Sequence, residues 1–382
     1  MTVASIDWLF WMGLTVGGFW LHPARLRHLW IPLVTVTFLS SHAPLSAALL
    51  LAFTLGTYYL SEWLPHGGRS TLLVGTALVG VLVYYKLGAA ERADDLITEV
   101  AIPLGLSYYT FRCLHYLIEK YKGTLEPHGL REFASYLMFI PTLPAGPIHR
   151  FNQYQRDYRR HRWDYGLFAE GLERMLFGYV KIVVLANQLV NENLRHFIST
   201  IDPEREALVS YMSVLAGALH GYLQFAGYSD VAIGFALLLG YRVIENFNWP
   251  FLRRNISEFW QSWHISLSSW CRDYIYMVVV SLTRRPAAAA LASMLVLGLW
   301  HELSLRYLLW GLYHGVGIAA WQSFQGFKKR FPAVENRIGK LALHCASVLL
   351  TFHFVLFSFV ILQERTMFDM LRTYESILFG WR

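Results

Sequence analysis

The chain has 382 residues, 55% of them hydrophobic and only 15% charged, whereas ordinary soluble domains carry roughly a quarter charged residues. That balance excludes a soluble enzyme and points to an all-α polytopic membrane protein with roughly ten or eleven spans, several of them interrupted. The net charge of +7 invites a nucleic-acid reading, but the Lys and Arg residues collect in short loops between apolar runs, as cytoplasmic loops do, and no basic-aromatic groove accompanies them.

No cleavable leader is expected, because Asp7 precedes the first apolar run while Arg25 and Arg27 follow it. The same bias places the N-terminus outside and the first loop inside. Residues 6–85 alternate apolar runs with helix breakers at His22-Pro23, Ala43-Pro44 and Pro65-His66-Gly67-Gly68. The runs at 45–60, 71–85 and, much later, 341–362 have the character of spanning helices, which need about 20 residues. This first region, 1–90, reads as scaffold. Its histidines, His22, His28, His42 and His66, lie near loop edges where imidazole is easily solvated. Tyr84, Tyr85 and Lys86 close a span at an interface.

A charged connector covers 91–99, and the following IPLGLSYYTFRCLHYLIEKYKG puts Arg112, His115 and Glu119 on one helical face. That face either meets water or packs inside. Next, YLMFIPTLPAGPIHR concentrates Pro141, Pro144, Gly146 and Pro147 in an apolar run. A spanning helix does not tolerate so many breakers, so a re-entrant or pocket-lining element enclosed by protein or a watery cavity is expected. The polar interval after it carries Arg150, Arg156, Arg159, Arg160 and Arg162 against Asp157 and Asp164. The orientation rule puts it in the cytoplasm. It reads either as a topogenic loop or as a basic entrance, formed by Arg159, Arg160 and Arg162, for a phosphate-bearing donor such as coenzyme A or a phosphopantetheine carrier. Apolar helix returns at 166–191 and 207–241. In the second run Gly221, Gly227, Gly234 and Gly240 permit close helix contact, and Tyr228, Ser229 and Asp230 introduce polar groups. Val231 stands where a nucleophile elbow needs glycine, so Ser229 is no such nucleophile.

The stretch 246–315 is the most unusual, because polar and ionisable groups repeatedly interrupt it at expected membrane depth, where they line cavities, pair or react. As one helix, 259–270 aligns Phe259, Trp263, Leu267 and Trp270 in one stripe and Trp260, His264 and Ser268 in another. Arg253, Arg254 and Glu258 precede this segment and Arg272 and Asp273 follow it. After a basic turn at Arg284 and Arg285 comes SMLVLGLWHELSLRYLLWGLYHG. On a continuous helix His314 lies roughly 220° from His301, so both line one pocket only if the helix breaks. We select His301, in the more apolar surroundings, and assign His314 to packing with Gly311 and Gly315. A neutral imidazole in a dry pocket can take the proton from a hydroxyl attacking an acyl carbonyl. The second histidine of HExxH is absent after His301-Glu302, and neither a Walker A loop nor a dinucleotide fingerprint occurs, so no metal and no resident cofactor are expected. Cys113, Cys271 and Cys345 have no ligand spacing and read as core residues.

Taken in order, SYYTFRCLHYLIEKYKG, FIPTLPAGPIHRF, FAGYSDVAIGFALLLGYRVIENFNWPF, ISEFWQSWHISLSSWCRDYIY and GLWHELSLRYLLWGLYHG resemble the membrane-bound O-acyltransferases. Within them the likeness is to the alginate O-acetylation and teichoic acid D-alanyl transfer proteins, and it covers most of the chain from about residue 84. The resemblance implies one integral-membrane domain, 1–382, with an acyltransferase core at 97–325 and C-terminal helices at 339–382, built as a ring of helices around a central tunnel. It implies His301 as the active-site histidine and His264 as its partner; Ser229, Asp230, Ser268, Arg272 and Trp300 are our own lesser candidates for pocket support. A thioester donor, acetyl-CoA or an acyl-phosphopantetheine carrier, would arrive from the cytoplasm of a bacterial inner membrane. The acceptor, an envelope polysaccharide, would be reached from the other face through a periplasmic acetyltransferase or a small membrane partner. Acetyl is the expected group; D-alanyl transfer to a teichoic-like polymer, or a non-catalytic acyl conduit, are the alternatives. The chain departs from the family in Glu302-Leu303, where a small pair such as Gly-Ala is common, in a shorter interval between the two histidines, and in ending soon after Trp381. These departures bear on the acceptor more than on the reaction.

Overall fold

The computed structural model describes residues 5–65, 67–91, 102–160, 162–330, 335–364 and 366–380. The expectations for His66, for most of the charged connector and for Trp381 lie outside them. Among the described residues the chain is helical with no strand, and it divides into two compact units. One holds 1–180 and 227–245, the other 181–226 and 246–382.

The first unit contains α1 (Ile6–Leu21), α2 (Ala24–His42), α3 (Pro44–Trp63), α4 (Gly68–Glu91), α5 (Leu106–Tyr121), α6 (Leu130–Leu137), α7 (Phe151–Arg159) and α8 (Tyr165–Tyr179). Their ends follow the sequence punctuation. Ser5 caps α1 by accepting the Trp8 N–H, Pro23 stops its continuation, and Pro44 opens α3 at the position where its missing N–H costs nothing. The described scaffold histidines all have partners: His22 Nδ1 donates to the Gly18 carbonyl at 2.5 Å, His28 meets the Tyr241 hydroxyl at 3.1 Å, and His42 pairs with Asp7 at 2.9 Å.

The breaker-rich segment after α6 is non-helical apart from a short 3₁₀ turn, Ile140–Thr142, and it is buried. Its backbone groups need partners, and α5 supplies them. Arg112, fully buried, donates to the Thr142 carbonyl at 2.8 Å, to its hydroxyl at 2.6 Å and to the Leu137 carbonyl at 3.4 Å. His115 Nε2 accepts the Phe151 N–H at 3.0 Å. The polar face of α5 therefore packs inward, which settles the choice left open by its periodicity.

Among the described residues three helices are long and apolar enough to cross a membrane, within Pro44–Trp63, Gly68–Gly88 and Arg337–Gln363, and Ile6–Leu21 and Pro286–His301 are shorter apolar helices. Many of the remaining apolar runs are divided by breaks or polar groups, as membrane-embedded backbone can be where protein encloses it.

The second unit contains α9 (Arg195–Ser199), most of α10 (Glu206–Leu238), α11 (Ile256–Trp260), α12 (Ile265–Cys271), α13 (Met277–Thr283), α14 (Pro286–His301), α15 (Leu305–Lys328), α16 (Arg337–Gln363) and α17 (Met367–Phe379). The C-terminal part of α10 belongs to the first unit, where a Cβ on Gly234 would stand 2.6 Å from the Gly171 carbonyl oxygen of α8, so only glycine allows that approach. Cys113 and Cys271 are buried, but Cys345 is exposed on α16, contrary to the expectation that all three lie in the core.

Candidate active site

The single helix expected over 259–270 is not formed. α11 ends at Trp260, α12 starts at Ile265, and His264 between them has φ +42°. A non-glycine residue in the left-handed region is strained by about 1–3 kcal/mol, and such strain persists only where surrounding bonds over-determine it. Here the neighbouring segment does so. Ile265 N–H donates to the Asn246 carbonyl at 2.9 Å and Asn248 N–H to the Ser262 carbonyl at 3.0 Å. The buried Asn246 amide oxygen accepts the Ser266 hydroxyl at 2.7 Å. Trp263 wedges the loop, stacked on Phe259 at 5.6 Å and packed against Tyr222, Phe247 and Phe251.

The strained backbone turns the His264 ring inward, where it is 3% exposed, edge-on to Phe225 at 4.7 Å and 6.3 Å from Trp300. Its Nε2 is buried and finds no hydrogen-bond partner among the described residues. Ser268, expected one turn away on the same stripe, instead donates its hydroxyl to the Trp263 carbonyl at 2.8 Å. It lines a cavity of about 500 Å³ together with Arg272, whose guanidinium pairs with Asp273 at 2.9 Å.

The second histidine stands at another break. α14 stops at His301, Glu302 is extended, and Ser304 caps α15 by accepting the Tyr307 N–H at 3.4 Å. The two helices then pack closely against each other. Gly298 and Gly311 permit this, since a Cβ on either would stand 2.3 Å or 2.5 Å from a carbonyl oxygen of the facing helix. Glu302, the departure noted in the sequence, pairs with Arg306 at 3.0 Å, and Arg306 also donates to the Glu364 carbonyl. Its charge is thereby met within the turn.

The His301 ring stacks on Tyr307 at 5.6 Å, stands edge-on to Trp310 at 5.5 Å and lies 4.5 Å from Trp300. Trp300 thus adjoins both histidines, which are close enough to interact electrostatically. His301 itself is exposed, while His264 and His314 are buried. This corrects the expectation of a sequestered His301. The helix end presents it at an open position, and its neighbours cover only part of the ring.

The break also overturns the separation of His301 from His314. With α14 and α15 folded back on each other, His314 lies 4.7 Å from the same Trp310, and the Trp260 indole N–H donates to its Nδ1 at 3.3 Å. In the sequence the two can share a pocket only if the helix breaks, and His314 is set aside there because His301 has the more apolar surroundings. A signal was present, because Ser304 before an apolar run is an N-cap pattern.

The remaining candidates lie in the first unit. Ser229 and Asp230 are buried on α10, and Asp230 pairs with Arg174 at 2.8 Å. Arg159, Arg160 and Arg162 are all exposed, and Arg159 is held by Glu126 at 2.5 Å and Glu132 at 3.2 Å.

A family model described as MBOAT, membrane-bound O-acyltransferase family, matches residues 70–363. The chain is 31% identical over 330 residues to a probable alginate O-acetylase of Pseudomonas fluorescens, covering 84% of this chain and 66% of the relative. It is 30% identical over 407 residues to a probable alginate O-acetylase of Pseudomonas aeruginosa, covering 99% of this chain and 75% of the relative. With a teichoic acid D-alanyltransferase of Bacillus subtilis it shares 28% identity over 279 residues, covering 69% of each. These alignments span about two thirds to three quarters of the relatives' lengths.

Proposed function

Because the chain belongs to the membrane-bound O-acyltransferase family, we propose that it transfers an acyl group, acetyl in the first instance, from a thioester donor to a hydroxyl acceptor in envelope polysaccharide O-acylation. The observation that carries this reading is the pair of histidines at two helix breaks, His301 open at the end of α14 and His264 buried beside Trp300. His301 is the general base. Its neutral ring nitrogen takes the proton as the acceptor oxygen attacks the thioester carbonyl; the carbon–sulfur bond then breaks, and the departing thiolate is protonated to the thiol. His264, held by strained backbone, positions donor or acceptor, with Trp300 between the two rings.

The donor is acetyl-CoA or an acyl-phosphopantetheine carrier, consumed as substrate, and the exposed Arg160 and Arg162 form its cytoplasmic entrance. The protein is membrane-embedded; its place is the bacterial inner membrane, where it hands the acyl group to the polysaccharide through a periplasmic acetyltransferase or a small membrane partner. The identity with the Bacillus subtilis D-alanyltransferase supports D-alanyl from a carrier as the second reading.

The test uses the purified full chain in detergent with labelled acetyl-CoA, separately a D-alanyl carrier, and a hydroxyl acceptor, repeated with added partner. Thioester loss that depends on His301 is the expected result. A donor left intact in every arm, with uptake of the labelled acyl compound preserved when the same chain is reconstituted in vesicles, identifies a conduit.

A further inference from the structure

His314 has the surroundings of a residue that acts through others. Its ring is 1% exposed, edge-on to Trp260 at 5.2 Å and tilted against Trp310 at 4.7 Å. An indole nitrogen only donates, so the 3.3 Å contact makes His314 Nδ1 the acceptor and leaves the ring proton on Nε2. Trp260 meets Trp310 edge-on at 5.8 Å, closing a box of three rings, and Trp310 is also the ring to which His301 stands edge-on at 5.5 Å. One indole therefore touches both histidines.

Resting on His301 as the base, we infer that His314 is a positioning residue, fixing Trp260 through its Nδ1 and, with Trp260, fixing the Trp310 ring against which His301 stands. Simple filling of the space is the poorer explanation. His314 Nε2 is buried and finds no hydrogen-bond partner among the described residues, a cost that an apolar ring does not carry. A core selected for packing alone would be as stable or more so with phenylalanine there. The histidine is explained by what Nδ1 does for Trp260, whose indole N–H is 8% exposed as a residue and needs an acceptor. Small displacements of a positioned base are costly to rate, about a hundredfold for 1 Å, so a wall that holds such a ring has a measurable effect on turnover.

The experiment compares wild type, His301→Ala, His314→Phe, Trp260→Phe, the double Phe variant and His314→Asn as full chains in detergent, measuring kcat, donor KM and thermal stability of each. His314→Phe and Trp260→Phe each lower kcat about ten- to a hundredfold with little change in KM. The double variant falls no further than the worse single one, because both act through one bond, and it folds because both partners become apolar together. Asparagine, whose amide oxygen lies near the Nδ1 position, restores part of the lost kcat. A folded His314→Phe or double variant with wild-type kcat overturns the inference, as do losses that multiply in the double variant. Those outcomes with an inactive His301→Ala leave the base assignment standing; an active His301→Ala removes that assignment itself.

Discussion

At the level of single residues the candidate site rests on two histidines in apolar sequence, His264 and His301, and both are visible there because ionisable groups stand out against such neighbours. His301→Ala is expected to abolish acyl transfer while membrane insertion continues, read by labelled product against the amount of protein in the membrane fraction. Retention of normal acylation by that variant would falsify its role as base. For His264 the left-handed backbone allows a cleaner separation of geometry from chemistry. His264→Gly and His264→Ala both delete the ring, but only alanine keeps the steric penalty at φ +42°. Glycine should therefore be the more stable of the two by about 1–2 kcal/mol, while both lose turnover. A thermal-melt comparison in which alanine equals glycine would show that the strain is relieved in some other way. The value of φ at His264 was not legible from the residue pattern, since it is imposed by Asn246 and Asn248, which pair with the loop from outside the helical segment.

At the scale of elements, two helix breaks position His264 and His301, and in the other unit one buried cation, Arg112, holds the breaker-rich segment. The periodicity of 259–270 suits one helix, yet backbone bonds to 246–248 interrupt it. Local propensity is a weak constraint once a second strand of chain offers hydrogen bonds to the same groups. The α14–α15 hairpin depends on glycine at its crossing. Gly298→Ala puts a methyl 2.3 Å from the Tyr307 carbonyl oxygen, so backbone must move, and a loss of about 1–3 kcal/mol in stability together with a sharp fall in kcat is expected, because His301 and Tyr307 shift with the helices that carry them. Unchanged kinetics for that variant would mean the crossing does not position His301. Arg112→Met leaves carbonyls at Leu137 and Thr142 and the Thr142 hydroxyl without their donor. Hydrogen bonds to a charged group contribute about 1.5–3 kcal/mol each, so the variant should melt well below wild type in detergent, whereas an equal melting temperature would show that other groups satisfy the segment.

For the whole molecule, charge distribution separates an ion-paired arginine from the two arginines proposed to face the donor. Arg159, Arg160 and Arg162 are all exposed, but Arg159 is ion-paired to Glu126 and Glu132. Reversing Arg160 and Arg162 to glutamate should raise donor KM several-fold at low salt, with the difference shrinking as ionic strength shortens the screening length to about 10 Å at 0.1 M. Donor dependence identical to wild type would return the loop to a purely topogenic role. Composition and hydropathy alone determined that the protein is helical and membrane-embedded, because solvent exclusion from lipid leaves a chain this apolar few other folds. The order of its motifs determined the family, since each long motif preserves residue types at fixed spacing. Only the tertiary structure decided that the strings 259–270 and 294–315 are each broken, that His314 joins His301 at Trp310, and that His301 is open while His264 and His314 are buried. The physical reason is common to all three: hydrogen bonds and close helix crossings between distant segments override the periodicity of a segment taken by itself.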